Sequence, residues 1–302
     1  MLMKNRLPAC IRKLTGEKIF EISLYVFFAL IIAVTLYPFL NAAAISLNDS
    51  RDTIKGGVTI FPRAFTLRNY QALLNYPLIL TGVRISALRT IAGTAVTVFC
   101  TSMAAYTVSR ADFIFRKFTT LIFLITLYVG GGLIPTFMVI RMFGLHNTFW
   151  VYIIPNLVGA YFLIVMKGFF ERLPYSLQEA AFIDGANDLT VFFRIILPLG
   201  MPVVAVAALF SAAFQWNSWF DTYLFASGNE NITTLQFELQ KLLRQAQNLD
   251  ASGEARLLTQ NAVSPSSVRM AVTVISVIPV MLLSPLAQKH FASGVTLGAV
   301  KG

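Results

Sequence analysis

The chain has 302 residues, of which 56% are hydrophobic and 13% charged, with a formal net charge of +10 and a mean hydropathy of +0.69. A soluble domain carries about 25% charged residues, so this composition excludes an ordinary water-soluble globule. The excess of Lys and Arg is read as the basic flank of membrane segments, and no nucleic-acid partner is expected. Cys10 and Cys100 lie too far apart in sequence to imply a disulfide framework. His146 and His290 lack companions at metal-ligand spacing. No metal site and no catalytic residue are therefore expected.

Six uncharged stretches approach the roughly 20 apolar residues that a bilayer-spanning helix needs: Ile22–Asn48, Thr90–Ser109, Phe118–Ile140, Met142–Met166, Ile195–Phe220 and Met270–Gln288. Irregular backbone cannot satisfy its polar groups in lipid, so all six are read as helices. Residues 1–21 form a basic lead with Lys4, Arg6, Arg12, Lys13 and Lys18, which places the N-terminus in the cytoplasm. The first stretch is too long for a signal-peptide core and lacks a clear cleavage site, so it is a retained span. It is expected to end near Tyr37-Pro38, where proline closes or kinks a helix.

Residues of about 48–80 are polar and turn-rich, with Gly56-Gly57, Pro62 and Pro77, and form the first extracytoplasmic loop. Its Arg51, Lys55, Arg63 and Arg68 suit either an acidic oligosaccharide or an acidic patch on a partner protein. Arg84 and Arg89 stand at the outer end of the second span. They are expected to snorkel to the interface, with the alternative that Arg89 faces a translocation path. Arg110, Arg116 and Lys117 mark a short cytoplasmic turn. In the third span, Gly130-Gly131-Gly132 followed by Pro135 predicts a break, tolerated only where protein or a water-filled cavity covers it. The fourth span begins near Thr148, with Trp150 and Tyr152 placed as an interfacial aromatic belt. The fifth ends in Gln215-Trp216-Asn217-Ser218-Trp219-Phe220-Asp221, which combines aromatic platforms with hydrogen-bonding groups. Gln215, Trp216, Asn217 and Trp219 are candidates for a saccharide path. A second outer loop covers about 225–266. Within it Leu235, Leu239, Leu242 and Ala246 keep helical spacing, and Asn229–Thr234 is the expected tip.

The loop of residues 171–194 is rich in small and apolar residues. Ser176-Leu177-Gln178-Glu179 has the pattern of a capping box. Ala180 and Ala181 give the helix that follows a face of minimal bulk. Gly185 supplies the backbone freedom for a sharp turn, and Asn187 or Asp188 can cap a second helix. Pro198 and Pro202 bracket the entry into the fifth span.

Glu179, Ala180, Ala181, Asp184, Gly185, Ala186, Leu197, Pro198 and Pro202 together resemble the EAA loop of ABC importer permeases. The family form is roughly E-A-A, three positions, G, about nine positions and I-x-L-P. Asp184-Gly185-Ala186 is typical of the carbohydrate-importing branch. The ending, with Gln288-Lys289-His290-Phe291, Gly294 and Gly298–Gly302, is similar to that of maltose-type permeases of the MalG kind. Asn48–Tyr70 and Asn147–Gly168 look closer to a subgroup for complex, pectin-like or uronate saccharides.

The resemblance implies an all-α polytopic membrane protein of the bacterial cell membrane. It would be a type I ABC importer permease whose six-span domain covers 22–290, with a cytoplasmic tail at 291–302 and both termini inside. It implies a cytoplasmic coupling helix at 176–190, with Glu179 placed to pair with an Arg of an ATPase. The implied partners are a homologous second permease, an ABC ATPase dimer, an extracytoplasmic solute-binding protein, membrane lipid and an oligosaccharide substrate. ATP and Mg would be bound by the ATPase. This chain has no G-x-x-x-x-G-K-[ST] phosphate loop and is expected to bind no cofactor.

The rivals are the same fold carrying a non-sugar solute, and an ion-coupled secondary transporter. The latter usually places ionisable groups in mid-membrane, and the six stretches contain no Asp, Glu, Lys or Arg.

Overall fold

A computed structural model describes residues 9–252, 264, 266–279 and 281. They are mainly helical, and the only extended pairing among them is one antiparallel bridge between Asn48 and Phe65. The C-terminal tail expected at 291–302 lies outside the described residues. The chain divides into two compact units, Met1–Ala72 with Leu249–Val274, and Leu73–Asn248 with Ile275–Gly302.

The first unit opens with α1 (Ala9–Ser46). Its stretch Gly16–Ser46 is apolar enough to cross a membrane, and at about 1.5 Å per residue it exceeds the ~30 Å hydrocarbon core. From residue 16 to residue 40 its side chains are exposed all round, as at Tyr25 (75%) and Val34 (71%), which suits lipid better than water. Pro38 lies inside the helix, so the expected closure near Tyr37-Pro38 is corrected. The good helix formers Ala42, Ala43 and Ala44 carry the helix past the one lost N–H.

The polar segment that follows is closed on itself. Asn48 is fully buried. Its Oδ1 accepts from Ala64 N (2.8 Å), and its Nδ2 donates to Asp52 Oδ2 (3.1 Å). Asp52 belongs to the short helix α2 (Ser50–Thr53), and its carboxylate also receives Arg63 Nε at 3.0 Å. The Asn48 amide and the Arg63 guanidinium hold the Asp52 carboxyl below its usual range. Asn69, on α3 (Arg68–Leu74), donates to the carbonyls of Ser46 (2.7 Å) and Asn48 (3.0 Å).

The second unit is organised around α4 (Pro77–Ser109). The helix begins at Pro77, whose fixed φ and missing N–H suit a first turn. The helix thus begins well before the uncharged stretch that starts at Thr90, and Arg84 and Arg89 lie within it, as expected of the outer end of this span. The buried face carries Gly82, Ser86, Gly93, Thr97, Thr101 and Ala105, small residues that let other helices approach closely. At Gly93 a Cβ would stand 2.6 Å from the Gln215 amide nitrogen. Against this face pack α7 (Ala160–Phe170) and α11 (Met201–Asn217).

Two further stretches are broken. α5 (Arg116–Tyr128) and α6 (Leu133–Met142) are separated at Val129–Gly132, where Gly132 has φ +83°. This is the break expected from the glycine run. Among the described residues nothing buries Gly130 or Gly131. The fourth stretch folds as 3-10 turns, Phe149–Tyr152 and Ile154–Asn156, bent by 43° from α7. Thr97 Oγ1 donates to Asn156 O (2.8 Å), and Thr101 Oγ1 accepts from Gly159 N (3.0 Å). The α4 hydroxyls thus satisfy backbone groups that the bend frees. Tyr152 is fully buried, with its hydroxyl donating to Ile232 O (2.8 Å). It is a core residue and not part of an aromatic belt, whereas Trp150 remains 57% exposed.

The unit's main apolar core joins Ala105, Tyr106, Leu163, Met166, Phe170, Phe192 and Ile196. A second core gathers Ile140, Val151, Tyr152, Phe225 and Ala226. The segment Asn229–Thr234, expected as a loop tip, is partly buried instead. Thr233 and Thr234 are enclosed, and Thr234 Oγ1 meets Thr222 Oγ1 at 2.8 Å. The helical spacing at 235–246 is realised in α13 (Leu235–Ser252), which buries Leu235 and Leu239. The last described helix is α14 (Ser266–Pro279).

Candidate functional site

The loop of residues 171–194 folds into a tight hairpin of two helices, α8 (Ser176–Ile183) and α9 (Asp188–Val191). The first helix is not closed by a capping box. Tyr175 already has helical dihedrals, and no side chain caps the N-terminus. Gln178 N and Glu179 N are instead held by Tyr175 O, at 2.9 and 3.1 Å. Pro174 starts this turn early, so Ser176 sits inside the helix where its hydroxyl cannot cap.

The C-terminal end follows the sequence closely. Gly185 has φ +82°. Gly185 N donates to Phe182 O (3.0 Å) and Ala186 N to Ala181 O (2.9 Å), the paired bonds of a Schellman closure. Asn187 then caps α9, its Oδ1 accepting from Thr190 N at 2.8 Å. The chain continues through a π-helical turn (Phe192–Ile196) and α10 (Leu197–Leu199). At Gly200 it bends by 81° into α11. Pro198 and Pro202 flank that bend, and each removes a backbone donor that would have continued a straight helix.

The hairpin has two different faces. Ala181, Phe182 and Ala186 pack on the main core, while Glu179, Ala180, Asp184 and Gly185 are exposed. Beside them Ile183 (86%) and Leu189 (56%) show large apolar surface to solvent. Glu179 forms no ion pair among the described residues.

Arg110, at the C-terminal end of α4, fastens the hairpin to the bundle. Its Nη1 donates to Gln178 Oε1 (2.5 Å) and to the Tyr106 hydroxyl (3.1 Å). Its Nε and Nη2 donate to the two Asp112 oxygens at 3.0 and 3.2 Å. Its guanidinium also lies 5.1 Å from the Phe182 ring centroid and 5.7 Å from that of Tyr175. The Arg110 hydrogen bonds hold the Asp112 carboxyl below its usual range. A carboxyl depressed in the folded state stabilises fully above its unfolded value of 3.8 and loses that contribution only as pH falls through the folded value. Sequence reasoning used Arg110 only to orient the chain. Nothing in its spacing pointed to Gln178, which lies 68 residues away.

The other candidate residues lie at the far end of α11, and the structure separates them. Gln215 is buried. Its Oε1 accepts from Arg89 Nε (3.1 Å) and Nη2 (3.0 Å), and its Nε2 donates to Tyr152 O (3.2 Å). Arg89 is wholly enclosed and forms a 2.5 Å ion pair with Asp221, just inside α12 (Phe220–Phe225). Its guanidinium also lies 4.3 Å over the Tyr152 ring. The expected snorkelling of Arg89 is thus corrected, because a carboxylate, an amide and an aromatic face replace water around it. Trp216 is buried, with Nε1 donating to Ser276 O (3.0 Å). Asn217 is exposed and Trp219 half-buried. Among the described residues no group of His, Cys, Asp or Glu could hold a metal ion. His146 packs edge-on against Phe137.

Residues 97–297 match the sequence profile of the family described as binding-protein-dependent transport system inner membrane component. The chain belongs to this family. The permease is 34% identical over 289 residues to the polygalacturonan/rhamnogalacturonan transport system permease protein YtcP of Bacillus subtilis, covering 95% of this chain and 99% of that one. It is 35% identical to protein LplC of Bacillus subtilis, over 94% of this chain and 96% of the relative. Its fold is similar to a chain in the crystal structure of a bacterial ABC transporter involved in the import of the acidic polysaccharide alginate. That match has a TM-score of 0.81 at 26% identity and covers 96% of this chain and 100% of that one. The permease is therefore a helical membrane-transport subunit of an ABC importer, as the EAA-like loop led one to expect.

Proposed function

We propose that this permease carries an oligosaccharide into the cytoplasm, driven by a separate ATPase that docks on the hairpin of α8 and α9. The observation that carries this reading is the hairpin's division of labour. One face is fixed to the core and clasped by Arg110, while the other leaves Glu179, Ala180, Ile183, Asp184 and Leu189 open to a partner. A rigid, exposed element can transmit a push, whereas a mobile loop would absorb it. Ala180, Ala181 and Ala186 keep the hairpin slim enough for a cleft. Glu179 is available to an arginine of the ATPase. Gly185 sets the bend, and Asp184 takes the C-cap position of α8. ATP and Mg belong to the ATPase dimer.

The carbohydrate cargo rests on the relatives, whose names include polygalacturonan/rhamnogalacturonan and galactooligosaccharide transport. Six spans are proposed: α1, α4, α5 with α6, Phe149–Phe170, α11 and α14. Among the described residues only α1 and α4 are long and apolar without a bend. The docking hairpin then faces the cytoplasm with both termini, and the 48–80 and 225–266 regions face outward. A homologous second permease would cover the exposed Gly130-Gly131 break, and a solute-binding protein would deliver the sugar from outside. Asn217 and Trp219 retain the exposure that a path residue needs. Gln215 and Trp216 would act beneath them as its floor.

The test is reconstitution with the partner permease, ATPase and binding protein, followed by uptake of neutral and uronic oligosaccharides. Gly185→Val and Glu179→Ala should each lower sugar-stimulated ATP hydrolysis severalfold. Valine is strained at a positive φ, and alanine lacks the carboxylate. Full coupling in both variants would sink the proposal.

A further inference from the structure

Arg244 lies on α13 with its guanidinium 5.7 Å from the Trp219 ring centroid and 5.8 Å from that of Tyr223. Both distances fall within the ~6 Å reach of a cation–π contact. The two rings are neighbours at 6.3 Å, and Phe220 extends the row at 6.1 Å from Tyr223. This is not a buried cluster. Arg244 is exposed, Tyr223 is 46% and Phe220 41% exposed.

We propose that Arg244, steadied by Trp219 and Tyr223, receives the carboxylate of an acidic saccharide at the outer mouth of this permease. The inference rests on the carbohydrate reading above and adds the class of sugar.

Three observations carry it. First, the neighbouring carboxylates are already committed. Asp221 is bound to Arg89, and the buried Glu238 accepts from Lys241 at 2.8 Å and from the Thr233 hydroxyl. Arg244 has no carboxylate partner among the described residues. An exposed arginine normally keeps many rotamers. Here two aromatic rings restrict it, so part of the ordering cost of binding is met before the ligand arrives. Second, the chemistry suits a uronate. The guanidinium fork matches a carboxylate in two parallel hydrogen bonds, and the negative ring faces beside it can take the C–H face of a pyranose. Third, the place is right. The ring row begins just past the C-terminal end of α11, and the docking hairpin precedes its N-terminal end. The 17 residues of α11 separate them by about 25 Å, close to the depth of a bilayer core.

The experiment uses the complete complex in liposomes, with saturating binding protein. The two probes are trigalacturonate and its fully methyl-esterified form, which keeps the ring and loses the charge. The wild type should carry the acid. Arg244→Gln should slow uptake of the acid about tenfold or more, the scale of a charge-assisted hydrogen bond, and leave the ester within about twofold. Arg244→Lys, which keeps the charge without the fork, should fall between. Equal losses for acid and ester, or no loss for either in both variants, would overturn the proposal. A wild type that carries the ester and not the acid overturns it while leaving the carbohydrate reading intact. A wild type that carries neither probe but takes up a neutral oligosaccharide overturns it too, and one that takes up no oligosaccharide overturns both.

Discussion

Arg89 illustrates how a single side chain can be misplaced by composition and correctly placed by packing. An arginine near a span end usually keeps its head in water. Here α4 starts thirteen residues earlier than its uncharged core, so Arg89 is carried into the bundle and its side chain is fully enclosed. Gly93, one turn further on, lets Gln215 approach closely enough to serve the guanidinium. Removing one member of such a buried pair strands the other and typically costs on the order of 3–5 kcal/mol. Arg89→Met should therefore lower the unfolding temperature of the purified complex substantially, and Arg89→Met with Asp221→Leu should recover much of the loss. A double variant no more stable than Arg89→Met would show that the pair is not the source.

At the scale of elements, the α8–α9 hairpin was largely legible. Gly185 at positive φ, the Asn187 cap and the proline-flanked bend all come from residues within a few positions of the geometry they set. The capping box was the exception, because Pro174 and Tyr175 begin the helix before Ser176 can cap it. The hairpin's attachment was not legible at all. Arg110 meets Gln178 through the folded bundle, and that contact should decide whether motion of the hairpin reaches α4. Arg110→Lys keeps the charge but cannot serve Gln178, Tyr106 and both Asp112 oxygens at once. It should leave basal ATP hydrolysis of the assembled complex near wild type and cut sugar uptake per ATP severalfold. Uptake and hydrolysis falling in parallel would point to a defect of assembly and not of transmission.

For the whole molecule, orientation follows from one chain of reasoning. On the proposed docking reading, the hairpin faces the ATPase side and α11 carries the chain across to the Trp219–Arg244 end. Single cysteines at Leu177 and Asn231, in a background with Cys10→Ser and Cys100→Ser, should label with an impermeant thiol reagent from opposite sides of a sealed vesicle. Labelling of both from one side would reverse the proposed topology.

The sequence by itself determined that the chain is a membrane protein, where its apolar stretches lie, that the third stretch breaks at its glycines, and that residues 179–202 form a helical hairpin with prolines at the entry into the fifth span. These depend on neighbours in the chain: hydropathy summed over a window, a missing Cβ, a missing N–H. Only the tertiary structure decided the rest. It placed Tyr152 in the core, and it set Arg89 against Asp221 across 132 residues and Arg110 against Gln178. It also drew Arg244 over two aromatic rings. Those pairings are fixed by how helices rotate and how closely their small-residue faces let them approach. A hydropathy pattern carries neither quantity, which is why the charged residues, so few in this sequence, were the ones it placed least well.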